Sequence, residues 1–339
     1  MTEPTKEPED SNEQRELDFK RLNLAMAELD RQFGVGTVFK MGTQSLGPWP
    51  AITTGALTLD KAIGIGGLPI GRIVEIYGHE SSGKSTICMS VVAEAQSRGG
   101  ICAYLDTEHA MDPNYATSLG VNMDDLLFSQ PDYGEQALDI ATTLVKTGGL
   151  MVLVVDSVAA LVPKAELEGT MEDNQMGLQA RMMAKGMRRL VSAANENDTL
   201  IIFTNQIREK IGIMFGNPET TPGGRSLKFA ASVRIQLRRK EDLKTKDGEI
   251  IGVKTVASIP KNKMGPPLRK AEFDIVYAKG INKIGCVLDY AVDRHIVTRK
   301  GAWYSYGEHQ LGQGRDNTVE NLASDMELYR QLKAEVDAL

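Results

Sequence analysis

The run Gly78-His-Glu-Ser-Ser-Gly-Lys-Ser85 stands between a β-branched stretch, Arg72–Tyr77, and apolar residues at helical spacing, Ile87, Val91 and Ala95. Strand, glycine loop and helix in that order restrict the fold more than any other feature of the chain. The run fits G-x-x-x-x-G-K-[ST], whose glycines let backbone N–H groups turn inward around phosphates, while the helix start adds its partial positive charge. In this pattern Lys84 reaches the β- and γ-phosphates and the Ser85 hydroxyl ligates Mg²⁺. Gly78, His79, Glu80, Ser81, Ser82, Gly83 and Thr86 complete the nucleotide-binding segment.

From about Thr53 to Ala278 strand-like and helix-like runs alternate, which predicts a mostly parallel sheet with helices on both faces. Four candidate strands end in polar residues. Arg72–Tyr77 runs into the glycine loop and Ile101–Leu105 into Asp106 and Glu108. Leu150–Val155 runs into Asp156, and Leu200–Thr204 into Asn205 and Gln206. Ligands of open α/β sheets bind outside the carboxyl ends of the strands, so these residues are expected to converge there. Asp156 is then the second metal-side residue, or else a helix cap shared with Ser157. Glu108 is the choice for orienting an attacking water, because phosphoryl transfer to water needs a positioned nucleophile more than a strong base. Asp106 competes for that role, since in an extended chain it points the same way; it is also suited to a local cap. Asn262-Lys263 and Asn282-Lys283 lack the aspartate two residues on that guanine recognition wants, which favours ATP over GTP.

Ser232–Leu237, Gly252–Ile259 and Glu272–Tyr277 have polar spacers and predict antiparallel additions at one edge. Before the core, residues 1–14 have a disorder-prone composition. Leu22, Met26, Leu29 and Phe33 predict a helix from about Glu16, stopped at Gly34, whose apolar stripe packs on its own body or on a neighbouring subunit. Beyond about 283 come Trp303, Tyr304 and Tyr306 and a Gly-rich turn over Leu311–Gly314, read as a small C-terminal α/β domain. Residues 1–16 and 316–339 each carry six acids against two bases, so within a net charge of −6 the body is mildly positive, about +2. That is compatible with nucleic acid without demanding it. Cys88, Cys102 and Cys286 sit among apolar neighbours and read as buried thiols of a reducing, cytoplasmic setting. No signal-peptide core is visible, and no apolar run approaches the roughly 18 residues of a membrane span.

Longer segments now carry a resemblance. Glu80-Ser-Ser-Gly-Lys, Asp106-Thr-Glu-His-Ala-Met-Asp-Pro113 and Val154-Val-Asp-Ser-Val-Ala-Ala-Leu161 resemble the bacterial RecA recombinase family. So do Met176-Gly-Leu-Gln-Ala-Arg-Met-Met183, Asn205-Gln-Ile-Arg208 and Met214-Phe-Gly-Asn-Pro-Glu-Thr-Thr221, the likeness running from about residue 16 to about 330. The fold class this implies is α/β, a RecA-type P-loop ATPase core with an N-terminal helix arm and a small C-terminal α/β domain. The implied division is 1–45 for the acidic tail and polymerisation helix, 46–282 for the core, and 283–339 for a domain that gathers duplex DNA. The implied activity is DNA-stimulated ATP hydrolysis with Mg²⁺, in a helical homo-oligomeric filament on single-stranded DNA that pairs and exchanges strands with double-stranded DNA. Activation of self-cleavage of the SOS repressor is an added role. ATP lies between adjacent subunits. Tyr115, with Asp112 nearby, matches the adenine-stacking segment, and Tyr277 a second adenine contact. Lys261 and Lys263 match a basic pair reaching the γ-phosphate of the neighbouring subunit's ATP, Gln206 a γ-phosphate sensor, and Phe229 an aromatic that passes this state across the interface.

Two stretches follow the sheet's active edge. Gly169–Met176 leads into a helix carrying Arg181, Lys185, Arg188 and Arg189. Ile207–Arg225 holds Arg208, Lys210, Met214, Phe215, Gly223, Gly224 and Arg225, and exceeds the usual loop length. Basic residues mixed with insertable apolar ones fit phosphate tracking and wedging between bases, and Met176 joins Met214 and Phe215 in the wedging set. Met182, Met183 and Met187 read as helix core. In the C-terminal region Lys283, Arg294, Arg299 and Lys300 form either a duplex-binding or a plain solvated face. The chain departs from the family pattern at His79 (proline is usual), Ser85 (threonine), Ala230 (an aromatic) and Pro222 (threonine). A ring-forming helicase motor shares the core logic, and a small-molecule kinase would need a basic lid and an acceptor pocket that the sequence does not display.

Overall fold

The computed structural model describes residues 9–40, 48–170, 177–209, 219–245 and 247–339, the side chains from residue 14 onward. The chain forms two compact units, Met1–Pro48 and Trp49–Leu339. In the first, helix α1 spans Glu9–Phe33 and ends where Gly34 adopts φ 105°, its N–H bonding to the Asp30 carbonyl. The helix thus begins seven residues before Glu16, and Glu9–Gln14, expected to be disordered, are helical. Glu9 and Asp10 open the helix. Leu17, Leu22, Leu24 and Phe33 are exposed on it.

The second unit is built on nine strands: β1 (Ile73–Gly78), β2 (Ile101–Asp106), β3 (Leu126–Ser129), β4 (Leu150–Asp156), β5 (Leu200–Gln206), β6 (Val233–Lys244), β7 (Ile250–Asn262), β8 (Lys270–Val276) and β9 (Gly280–Ile281). Their order is β9-β8-β7-β6-β1-β5-β4-β2-β3. β6 through β3 run parallel, and β7, β8 and β9 add antiparallel at one edge. The parallel core with antiparallel edge additions matches the reading of the sequence; β3 was not anticipated, because its apolar Leu127 and Phe128 stand exposed at the sheet's edge.

Side chains alternate between two cores, as a sheet covered on both faces requires. Val74, Ile76, Cys102, Tyr104, Val152, Val154 and Ile202 face one core with helix α3 (Lys84–Ser97); helix α2 (Leu57–Ile63) packs on the same side. Ile73, Ala103, Leu105, Leu153, Val155, Ile201 and Phe203 face the other, with α5 (Gly134–Lys146) and α7 (Leu178–Glu196). Met182, Met183 and Met187 are buried in that second core, as their spacing implies. Short helices α4 (Pro113–Ser118), α6 (Lys164–Glu168) and α8 (Ser226–Ala230) link the larger elements. The cysteines are free and buried, burial pushing Cys102 and Cys286 up to about 12.

Residues 283–339 form helices α9 (Lys283–Asp293), α10 (Arg315–Ser324) and α11 (Met326–Asp337) around an antiparallel sheet of Val297–Lys300, Trp303–Tyr306 and His309–Gln313. Leu311–Gln313, expected in a turn, belong to the third strand, because the buried Leu311 anchors them to the domain's core. Among the described residues no helix is long and apolar enough to cross a membrane.

One buried carboxylate ties α2 to the segment before it. Asp60 accepts from the Thr54 amide at 2.9 Å, the Thr54 hydroxyl at 2.7 Å and the Thr53 hydroxyl. Burial outweighs these bonds and pushes its carboxyl up from 3.8 to about 6. A carboxyl whose folded value is raised adds stability that is complete below the unfolded value and is lost as pH rises through the folded one. Asp60→Asn should remove that dependence. Relative to the variant, wild type should lose on the order of 2–3 kcal/mol between pH 4 and pH 7, measured by denaturant unfolding across that range.

Candidate nucleotide site and adjoining loops

The parallel register brings four strand ends together. Gly78 lies beside Gln206 across β1 and β5, and Asp106 beside Asp156 across β2 and β4. β5 and β4 are themselves paired, so the expected convergence at one edge is what the sheet produces.

Gly78 is required by space, and Gly83 by its left-handed backbone. A methyl on Gly78 would stand 2.4 Å from the Leu237 carbonyl oxygen, and one on Gly83, at φ 94°, would stand 2.3 Å from Ile275 Cδ1. Gly83 precedes α3, and no side chain caps that helix start, so its first amides face the loop. Lys84 Nζ donates to the carbonyls of Gly78 at 3.2 Å and His79 at 2.9 Å. Burial pushes the Lys84 ammonium down, while Asp156 and Glu108 oppose the shift.

The Ser85 hydroxyl donates to Asp156 Oδ2 at 2.7 Å. Asp156 also accepts from Tyr104 Oη at 2.6 Å and from the Thr204 hydroxyl. Among the described residues no cluster of three or more His, Cys, Asp or Glu could hold a metal ion by itself. One hydroxyl and one carboxylate in contact fit Mg²⁺, a hard cation that takes oxygen ligands and completes its shell from phosphates and water. Tyr104 and Thr204 were missed from the sequence; strand alternation could have placed them on the α3 side, but nothing local marks them as partners of Asp156.

Glu108 and Asp106 do not point the same way. The strand ends at Asp106, and the chain bends, reaching φ 54° at His109. The buried Asp106 accepts from the Ala110 and Met111 amides and from Gln130 Nε2, which makes it the local cap. Glu108 stays exposed and accepts from the Ser157 hydroxyl and from Gln206 Nε2 at 3.1 Å. Two residues from different strand ends thus share one carboxylate oxygen.

Tyr115 sits on α4, whose N-cap is Asp112, and its hydroxyl lies 3.0 Å from the Thr86 hydroxyl on α3. Tyr277 is half exposed just past β8, its N–H bonded to Ile251. Lys261 Nζ donates to the carbonyls of Lys228 at 2.7 Å and Phe229 at 2.9 Å, and the Lys263 amide bonds to Ser232. Phe229 itself is 71% exposed.

Of the loop residues, Arg181 and Arg188 are exposed on α7, with Lys185 and Arg189, and Arg225 is exposed before α8. Ile207–Arg225 is not one structureless loop: Arg208–Glu209 pairs with Glu219–Thr220 in a short ribbon. Gly223 is held by its own packing. It is buried, a methyl there would stand 2.8 Å from Val158 Cγ1, and its amide donates to Gln179 Oε1. Gln179 Nε2 in turn donates to the carbonyls of Val158 and Leu161. Gly224 packs against Ala180. Met176, Lys210, Met214 and Phe215 lie outside the described residues. His79 Nε2 is 3.9 Å from a Glu219 carboxylate that Arg238 and Gln236 hold.

The close approach at Gly78 gives a direct test. Gly78→Ala should weaken ATP binding at least about tenfold and cost about 1–3 kcal/mol of stability, read by fluorescent-nucleotide titration and denaturant unfolding.

The family described as the RecA N-terminal domain matches residues 20–282, and the RecA C-terminal domain matches 285–339. The chain is 54% identical over 318 residues to Protein RecA of Clostridium perfringens strain 13, covering 93% of this chain and 90% of that one. It is 53% identical over 319 residues to Protein RecA of Teredinibacter turnerae, covering 94% and 93%. Against Protein RecA of Amycolatopsis mediterranei it is 52% identical over 317 residues, covering 94% and 91%. With both domains matched and half the residues shared across nearly the whole length, the chain belongs to the RecA family.

Proposed function

We propose that this chain is a DNA-dependent ATPase that forms a helical filament on single-stranded DNA and catalyses homologous pairing and strand exchange in recombination and repair. The carrying observation is the bond between Gln206 and Glu108: it ties the candidate water-orienting carboxylate to the residue that lies beside Gly78 and leads into 207–225.

In this reading the α3 amides and Lys84 bind the phosphates, and Tyr115 and Tyr277 contact the base. Ser85 and Asp156 hold Mg²⁺, which neutralises charge on the phosphates when bound. Glu108 orients the attacking water and Gln206 reports the γ-phosphate to residues 207–225. Lys261 and Lys263 act on the ATP of the neighbouring subunit. Arg181, Arg188, Arg208, Lys210, Gly223, Gly224 and Arg225 track the DNA backbone, while Met176, Met214 and Phe215 wedge between bases. Residues 1–45 serve polymerisation, 46–282 the ATPase, and 283–339 the capture of duplex DNA. Cytoplasmic residence and activation of SOS-repressor self-cleavage belong to the same reading.

Lys84→Ala should reduce DNA-dependent ATP hydrolysis to background in a phosphate-release assay, and unchanged turnover would remove the site assignment. Gln206→Ala should retain ATP binding within about threefold but lose most of the stimulation by single-stranded DNA. Extended filaments in electron micrographs, rather than closed rings, separate this reading from a hexameric helicase.

A further inference from the structure

Glu75 is a fully buried acid in the middle of β1, and nothing in the proposed reaction uses it. Its carboxylate meets the Arg234 guanidinium at 2.5 Å, Arg234 being 14% exposed on β6. Arg234 also lies over the Tyr77 ring, 4.5 Å from its centroid. The other carboxylate oxygen accepts from Asn205 Nδ2 at 3.1 Å. Asn205 is fully buried too; its Nδ2 reaches the Pro222 carbonyl, and its Oδ1 accepts from the Gln206 amide at 3.0 Å.

On the far side, Arg234 is paired in register with Lys261 across β6 and β7. Lys261 is pushed down by burial and by the positive charges of Lys263 and Arg234, with Glu75 opposing them. Its ammonium rests on the carbonyls of Lys228 and Phe229. A continuous set of contacts therefore runs from the Gln206 backbone through Asn205, Glu75 and Arg234 to Lys261 and the base of the exposed Phe229.

A buried ion pair is no economical source of stability, since desolvation offsets most of its Coulomb gain. Its attested use is to fix geometry, and here each member is held from two sides.

We propose that Glu75 and Arg234 are positioning residues that couple the two ATP contacts of one subunit, Gln206 toward its own nucleotide and Lys261 toward its neighbour's. A shift of Gln206 moves Asn205, which changes how closely Glu75 offsets Arg234 and hence how firmly Lys261 is held against Phe229. The inference rests on the roles of Gln206 and Lys261 given above.

The test is the full chain carrying Glu75→Gln with Arg234→Gln, a neutral pair that leaves neither partner as an unpaired buried charge. ATP affinity without DNA and single-stranded DNA affinity should stay within about twofold, while the stimulation of kcat by DNA falls at least about tenfold. Wild-type stimulation in the neutral pair overturns the proposal. Loss of nucleotide or DNA binding together with stimulation also overturns it, since that marks a structural role. If the neutral pair does not fold, Glu75→Asp keeps the negative charge but draws the carboxylate one methylene back from both Arg234 and Asn205; it should lose stimulation in the same way, and retained stimulation again overturns the coupling. Gln206→Ala is measured alongside. If it too keeps full stimulation, the reading of Gln206 has failed; if it alone loses stimulation, only the coupling has.

Discussion

The Asp156 carboxylate, 8% exposed, accepts hydroxyl bonds from three elements: Ser85 at the start of α3, Tyr104 in β2 and Thr204 in β5. A buried carboxylate is costly unless its lone pairs are satisfied, and satisfying this one locks the helix behind the phosphate loop to three adjacent strands. The alignment of Gly78 with Gln206 and of Asp106 with Asp156 then follows from a parallel register with little freedom to slip. The candidate site inherits its precision from this cluster rather than from any single motif residue. Replacing a hydroxyl in it would leave a charged acceptor short of a donor next to Lys84.

Residues whose identity follows from local chemistry were readable in advance. The glycine at 78 is dictated by backbone approach and that at 83 by a left-handed φ, the strands of the parallel core by runs of β-branched residues, and the buried methionines of α7 by helical spacing. Partnerships were not readable. Tyr104 looks like any core aromatic until β2 is placed beside β4, and Glu75 looks like a polar interruption of a strand until Arg234 and Asn205 arrive from 159 and 130 residues away. The choice between Asp106 and Glu108 turned on a bend at residues 107–109 that extended-chain reasoning does not contain. The early start of α1 was hidden because Pro-, Glu- and Asn-rich composition suits disorder, while a carboxylate-rich first turn also suits a helix N-terminus.

The departures from the family pattern fall where they leave this framework intact. Ser85 retains the hydroxyl that Asp156 accepts, which is the part of threonine the site uses. His79 adds an imidazole facing Glu219, so the phosphate loop gains a side-chain neighbour at the far end of residues 210–218. Pro222 keeps its carbonyl available to Asn205, which proline can offer as well as threonine. Nothing in the structure explains Ala230.

Gln179 holds the Val158 and Leu161 carbonyls with its nitrogen and the Gly223 amide with its oxygen. It stands three residues past the end of 169–176, and Gly223 two residues before the end of 207–225. The turn at Val158–Leu161 and the turn at Gly223 are therefore joined through a single amide group. Two turns that lie more than sixty residues apart in sequence are thereby kept at the separation one glutamine side chain can span, and a longer or shorter amide at 179 would have to give up one of them.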